Sequence, residues 1–223
     1  MRKLFTIAKI SLKTKGGIMA YKTLTTAALA AGLMIGASSS AIAADKPKLM
    51  MGADASMLSN TCAGCHGTNG VSQGPAAPTI AGLSPDYFVE LMAGFASGEV
   101  ESTIMGRIAK GYTADEIKAM AGFYSEKKFG AATQEFDAAQ VKDGAKIHDK
   151  YCEKCHAEGG TSAEDDAGIL GGQWTTYTNW QLADFQAGDR EAPKKMKKQM
   201  KKMLDKHGSK GVSALLNYYA SQQ

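Results

Sequence analysis

The word Cys-x-x-Cys-His occurs twice, as Cys62-Ala63-Gly64-Cys65-His66 and as Cys152-Glu153-Lys154-Cys155-His156, with an offset of 90 residues. Together the two words use all four cysteines of the chain. Two thiols separated by two residues and followed directly by a histidine form the attachment pattern of a c-type haem. The thiols add to the haem vinyl groups as thioethers, and the adjacent histidine lies beneath the iron, where a ring nitrogen can bind it. A disulfide framework gives no reason for a histidine after each pair, and a zinc site draws its ligands from both halves of a compact knuckle. A cysteine-based thiol oxidoreductase is a third alternative, which needs free thiols in the mature protein. The pattern favours two covalent haems c on Cys62, Cys65, Cys152 and Cys155, with His66 and His156 as iron ligands.

The 90-residue offset extends beyond these words. Met57 matches Ile147, Gly70 matches Gly160, Gly82 matches Gly172, Tyr87 matches Tyr177, Phe95 matches Phe185 and Gly98 matches Gly188. A repeat of this length means two similar domains in tandem. The expected organisation is a leader over 1–43, a first domain over 44–126, a linker over 127–140 and a second domain over 141–223. Each domain, at about 80 residues, is near the lower limit for a self-sufficient apolar core, and a covalently held haem would supply the missing volume.

The leader rests on three signals: Lys22 as the positive region, a short apolar run from Leu24 to Gly36, and Ala41-Ile42-Ala43 as an A-x-A cleavage site. The mature chain is expected to start at Ala44 or Asp45, and Met19 is an alternative start codon. An uncleaved anchor is the alternative to cleavage; the small residues from Ser38 to Ala44 argue for cleavage. Export places the protein in an oxidising space, the periplasm. Arg2, Lys3, Lys9, Lys13, Lys15 and Lys22 leave with the leader and no acid does, so 26 basic against 22 acidic residues becomes 20 against 22. A mature charge of −2 in place of +4 gives nucleic-acid binding no support.

Helical spacing dominates the chain. Ser84 is a suitable N-cap, Pro85 suits the first helical position and Gly98 suits the stop; between them Phe88, Leu91, Met92 and Phe95 share a face. Thr113-Ala114-Asp115-Glu116 reads as a capping box that starts a helix through Ile117, Met120 and Tyr124. The second half ends similarly, with Val212, Leu215, Leu216 and Tyr219. No run alternates with period two, so the fold class is all-α.

The ligand opposite each histidine decides between chemistry and electron transfer. An open position allows gas binding or peroxide chemistry, whereas a methionine sulfur closes the site and raises the potential. Met105 lies in an irregular stretch after Gly98 and is the choice for the first half. In the second half, Met196, Met200 and Met203 recur at helical spacing. Counted from Gly188 the ligand is Met196, and counted back from Tyr219 it is Met200, because the second domain carries five extra residues; Met196 is chosen, with Met200 next. His148 and His207 read as hydrogen-bonded or solvated. The lysines between Pro193 and His207 read as a solvated helix face, with a rim that steers an acidic redox partner as the sharper alternative.

The stretches Asn60 to Thr68, Ser102 to Tyr112, His148 to His156 and Tyr219 to Gln223 resemble the diheme, two-domain class I cytochromes c, and among these the cytochrome subunits of flavocytochrome c sulfide dehydrogenases. The resemblance covers roughly residue 50 to the end. It implies two small helical domains packed as a pseudo-twofold pair, each around one covalent haem. It also implies a periplasmic flavoprotein partner that oxidises sulfide, carries the FAD and passes electrons to this chain, which hands them to an acceptor such as another cytochrome. Met105 matches the first domain's ligand, and Lys194-Lys195-Met196 resembles the second domain's ligand region. In the family a proline carbonyl contacts the proximal histidine. Pro78 fits that role, but the offset puts Gly168 opposite it, which leaves the second contact open. Two haems suit a two-electron flavin donor. The chain has no G-x-G-x-x-G fingerprint, so the flavin belongs on another polypeptide and the chain itself is not expected to be an enzyme. A free-standing diheme carrier to a terminal oxidase, or a diheme peroxidase, are the alternatives.

Overall fold

Glycines 90 apart end their elements in the same backbone conformation. In the computed structural model, which describes residues 52–223, Gly98 ends one helix at φ 87°, ψ 7° and Gly188 ends its counterpart at φ 85°, ψ 7°. Gly82 and Gly172 both sit at φ 73°. Both pairs lie in the left-handed region, where glycine carries no Cβ penalty. The leader expected over 1–43 lies outside the described residues.

Among the described residues there are nine α-helices and no strand. The first half contains α1 (Ala55–Asn60), α2 (Ala63–His66), α3 (Pro85–Ser97), α4 (Met105–Ile108) and α5 (Ala114–Ser125). The second contains α6 (Ala138–Tyr151), α7 (Ala157–Gly160), α8 (Thr175–Ala187) and α9 (Lys194–Ala220). None of these helices is long and apolar enough to cross a membrane.

The helix ends follow the sequence signals. Ser84 accepts the Tyr87 N–H at the start of α3, and Pro85 takes the first turn, where its missing N–H costs nothing. Thr113 and Glu116 form the full capping box of α5. The core of the first half is Phe88 and Met92 of α3 against Ile117, Met120 and Tyr124 of α5, each at most 6% exposed. Burying a side chain of this size contributes about 1.5–3 kcal/mol.

The second core lies between α6 and α9, around Ile147, Met203, Leu215 and Tyr219. The two helices cross closely at Gly144, where an added Cβ would lie 2.1 Å from the Ala214 carbonyl oxygen. The five extra residues of this half are absorbed in α9. It runs on from Lys194 and breaks at Gly208, whose φ of 56° and ψ of −151° suit only glycine. One matched pair diverges: Ile147 is 5% exposed and Met57 is 61% exposed. The fourteen-residue α6 lies along α9, whereas the six-residue α1 presents Leu58 and Ser59 to the core and turns Met57 outward.

The halves meet reciprocally. Ser84, the N-cap of α3, donates its hydroxyl to Asp166 in the loop after the second haem word (2.6 Å). Trp174, the N-cap residue of α8, donates its indole N–H to the Ser72 carbonyl in the loop after the first (3.3 Å). Such an exchange of equivalent elements is the mark of a twofold relation.

Candidate haem sites

Each Cys-x-x-Cys-His word is set in place by the same backbone bonds. In the first, the N–H groups of Cys65 and His66 bond the Cys62 carbonyl at 3.2 and 2.9 Å; in the second, those of Cys155 and His156 bond the Cys152 carbonyl at 3.1 and 3.0 Å. Cys62 and Cys152 are half-buried, Cys65 and Cys155 are exposed, and none of the four is in a disulfide.

Each histidine is then oriented by a carbonyl twelve residues on. His66 Nδ1 lies 2.8 Å from the Pro78 oxygen, and His156 Nδ1 lies 2.9 Å from the Gly168 oxygen. A carbonyl only accepts, so Nδ1 carries the proton and Nε2 keeps its lone pair. Burial holds both imidazoles below their ordinary pKa, against the opposing pull of the carbonyl bond, which preserves the neutral form that binds a metal. The second contact, left open by the loss of the proline, is therefore present. The glycine has its own reason: a Cβ on Gly168 would lie 2.8 Å from the Tyr87 hydroxyl of the other half. The loops carrying these carbonyls are themselves fixed alike. Gly70 accepts from Ile80 and Ala81, Gly160 accepts from Leu170 and Gly171, and Gly82 and Gly172 donate to Tyr124 and Tyr219 at 2.9 and 2.8 Å.

Met105, expected in an irregular stretch, opens the single turn α4. Ser102 Oγ accepts the Gly106 N–H at 2.7 Å and Arg107 donates to the Thr103 carbonyl at 2.7 Å, so the segment folds on itself around the methionine. The Met105 side chain packs on the same apolar cluster as Cys62. Its neighbours Ile104 and Ile108 remain 51% and 37% exposed. In the second half, Met203 is core at 3% exposure, while Met196 and Met200 are half-buried on the first turns of α9. Met196 follows Pro193, whose carbonyl accepts the Lys197 N–H, and the Glu191–Lys197 ion pair ties this turn to the preceding loop.

The donor chemistry fits haem c: cysteines paired at the haem-word spacing, an imidazole with Nε2 spare, and, at Met105, a thioether sulfur beside exposed apolar side chains that a macrocycle would cover. Two tyrosines escaped notice as site residues. Tyr124 and Tyr219, read in the sequence as helix-face residues, hydrogen-bond the Ser59 carbonyl (2.6 Å) and His148 Nδ1 (2.9 Å), and each lies within electrostatic reach of the first cysteine of a word. Burial pushes both phenols well above their ordinary range, and burial likewise raises the Cys152 thiol. Their equal distance from the two α-helical C-termini was the available signal. His148, read as hydrogen-bonded, lies in α6 with both ring nitrogens bonded.

No protein-family model matches the chain. It is 47% identical over 68 residues to the cytochrome subunit of sulfide dehydrogenase of Chlorobaculum tepidum, a match covering 30% of this chain and 61% of that one. It is 31% identical over 150 residues to cytochrome c4 of Stutzerimonas stutzeri, covering 58% of this chain and 69% of that one. Among solved structures it resembles the reduced recombinant cytochrome c4 from Pseudomonas stutzeri, with a TM-score of 0.64 and 25% identity over 76% of this chain and 99% of that one. The repeated haem word, the matched histidine–carbonyl pairs, the all-α tandem fold and these similarities agree, and the chain belongs to the diheme class I cytochromes c, a family of electron carriers.

Proposed function

We propose that this chain is the periplasmic haem subunit of a flavoprotein sulfide dehydrogenase, made as residues 1–43 of leader, domains over 44–126 and 141–223, and a linker over 127–140. Cys62 and Cys65 hold one haem c and Cys152 and Cys155 the other, with His66 and Met105 on the first iron and His156 and Met196 on the second. Each haem supplies one reversible Fe(III)/Fe(II) electron exchange.

The chain's own residues orient the donors and close the sites. The Pro78 and Gly168 carbonyls fix the proximal tautomer and ring orientation, which strengthens the imidazole as a donor. Met105 and Met196 would be the further ligands to the two irons, which would leave no position open to small molecules and restrict the sites to electron exchange. The observation that carries this reading is the repeated histidine–carbonyl contact at 2.8 and 2.9 Å. The partner reading is supported by the 47% identity to a sulfide dehydrogenase cytochrome subunit. In that reading FAD and sulfide oxidation belong to the partner, and a further cytochrome takes the electrons onward.

A free-standing carrier is the second reading, favoured by the fold match that spans 99% of a cytochrome c4. Purification of the native protein with haem and flavin quantified separates the two. Two haems and one flavin in a stable complex supports the subunit, and two haems on a flavin-free monomer supports the carrier.

A further inference from the structure

The two halves differ most where the haem word meets the last helix. In the first half, Leu58 is buried in the apolar cluster, Ala63 follows Cys62, and Tyr124 donates its hydroxyl to the Ser59 carbonyl at 2.6 Å. Ninety residues on, the matching positions hold His148 and Glu153. His148 is 1% exposed. Its Nε2 lies 2.6 Å from Glu153 Oε2 and its Nδ1 lies 2.9 Å from the Tyr219 hydroxyl. Glu153 also accepts the N–H groups of Glu158 (3.1 Å) and Gly159 (3.2 Å).

A carboxylate only accepts, so Nε2 donates to Glu153, while Nδ1 pairs with the Tyr219 hydroxyl. Tyr219 in turn lies within electrostatic reach of Cys152. A chain of hydrogen bonds thus runs from a half-exposed carboxylate through a buried imidazole to a buried phenol, Glu153–His148–Tyr219. Partial desolvation raises the Glu153 carboxyl, but the bonds from His148, Gly159 and Glu158 outweigh it and keep the group below its ordinary range. Burying such a network is costly unless every member is satisfied. The first half packs the same place with leucine, so the fold does not require it.

We propose that Glu153, held by His148 and Tyr219, is a positioning residue that lowers the reduction potential of the second haem and leaves that of the first unaffected. The inference rests on the haem assignment above. A fixed negative charge next to a redox centre stabilises the oxidised, more positive form. The lysines of α9 carry opposite charge but are long and solvated, where salt screens them. The arrangement therefore makes two otherwise similar sites unequal, so that an electron distributes unevenly between them.

The test is an optical redox titration of the holoprotein that resolves both potentials, with Met105→Ala used to identify the first. Glu153→Gln retains size and hydrogen bonding but removes the charge. It is expected to shift the second potential upward and leave the first in place. Glu153→Asp keeps the charge and is expected to restore the wild-type value. His148→Leu, which copies the first half, is expected to raise the second potential as well, by releasing Glu153 to solvent; if this variant fails to fold, the surface substitutions still decide. An unchanged second potential in Glu153→Gln, or an equal shift of both, overturns the proposal. A wild-type protein with fewer than two haems per chain overturns the haem assignment instead.

Discussion

The Gln173 side chain clamps the Thr79 backbone: its Oε1 accepts the Thr79 N–H at 2.8 Å and its Nε2 donates to the Thr79 carbonyl at 3.0 Å. Thr79 follows Pro78, the residue whose carbonyl orients His66, and Gln173 follows the matched turn at Gly172. One side chain of the second half thus finishes the loop that orients the first half's histidine.

Replacing Gln173 by leucine leaves the buried Thr79 N–H and carbonyl without these partners. The expected cost is about 1–3 kcal/mol. Denaturant unfolding followed by circular dichroism should show a lower midpoint and a transition that separates into two steps, because the halves lose a main link. A midpoint equal to that of the wild type would contradict the clamp.

Gly144 allows α6 and α9 to touch, with an added Cβ reaching 2.1 Å from the Ala214 oxygen and 2.6 Å from Tyr218 Cβ. The nearest atom is backbone and cannot swing aside. Gly144→Ala is expected to force the helices apart and cost about 1–3 kcal/mol. Thermal unfolding of the holoprotein checks this, and an unchanged Tm would show that the helices part without penalty.

Met105→Ala is expected to leave haem attachment intact, admit carbon monoxide or cyanide at the first iron and lower its potential. Met196→Ala should do the same at the second iron, and Met200→Ala should not. Absorption spectra with and without carbon monoxide read the result. The reverse outcome for Met196 and Met200 would move the ligand by one helical turn.

Tyr177 lies within electrostatic reach of Tyr87 of the first half, and burial pushes its phenol up from the ordinary 10.0 to about 12. A raised pKa in the folded state means that the stabilisation is complete below pH 10.0 and is lost as pH rises to about 12. Chemical denaturation across this window should show falling stability, with a shallower fall for Tyr177→Phe. Equal slopes for the two proteins would remove Tyr177 from the fold's alkaline limit.

The features legible in the sequence are those written in short-range spacing. The haem words, the Ser84 and Thr113 caps, the glycine stops at Gly98 and Gly188, and the 3.6-residue face of α3 all depend on residues within a turn or two of one another. The features missed depend on contacts between distant segments. Nothing near Gly168 says that Tyr87 occupies the space where a proline would go. His148 looked like one more helical histidine because its partners, Glu153 and Tyr219, are brought to it only by the turn at Cys152 and the return of α9. The second methionine was ambiguous because the second half carries five extra residues, and no local signal says where along the helix from Lys194 to Ala220 they fall.

The most direct test of the central claim is the haem content and intact mass of the mature protein purified from its own periplasm. Two haems per chain are expected, with the mass of the processed polypeptide increased by both and no titratable thiol. A Cys152→Ala, Cys155→Ala double variant should retain one. A colourless chain at the bare polypeptide mass, or four reactive thiols, would contradict the assignment of these two words to haem.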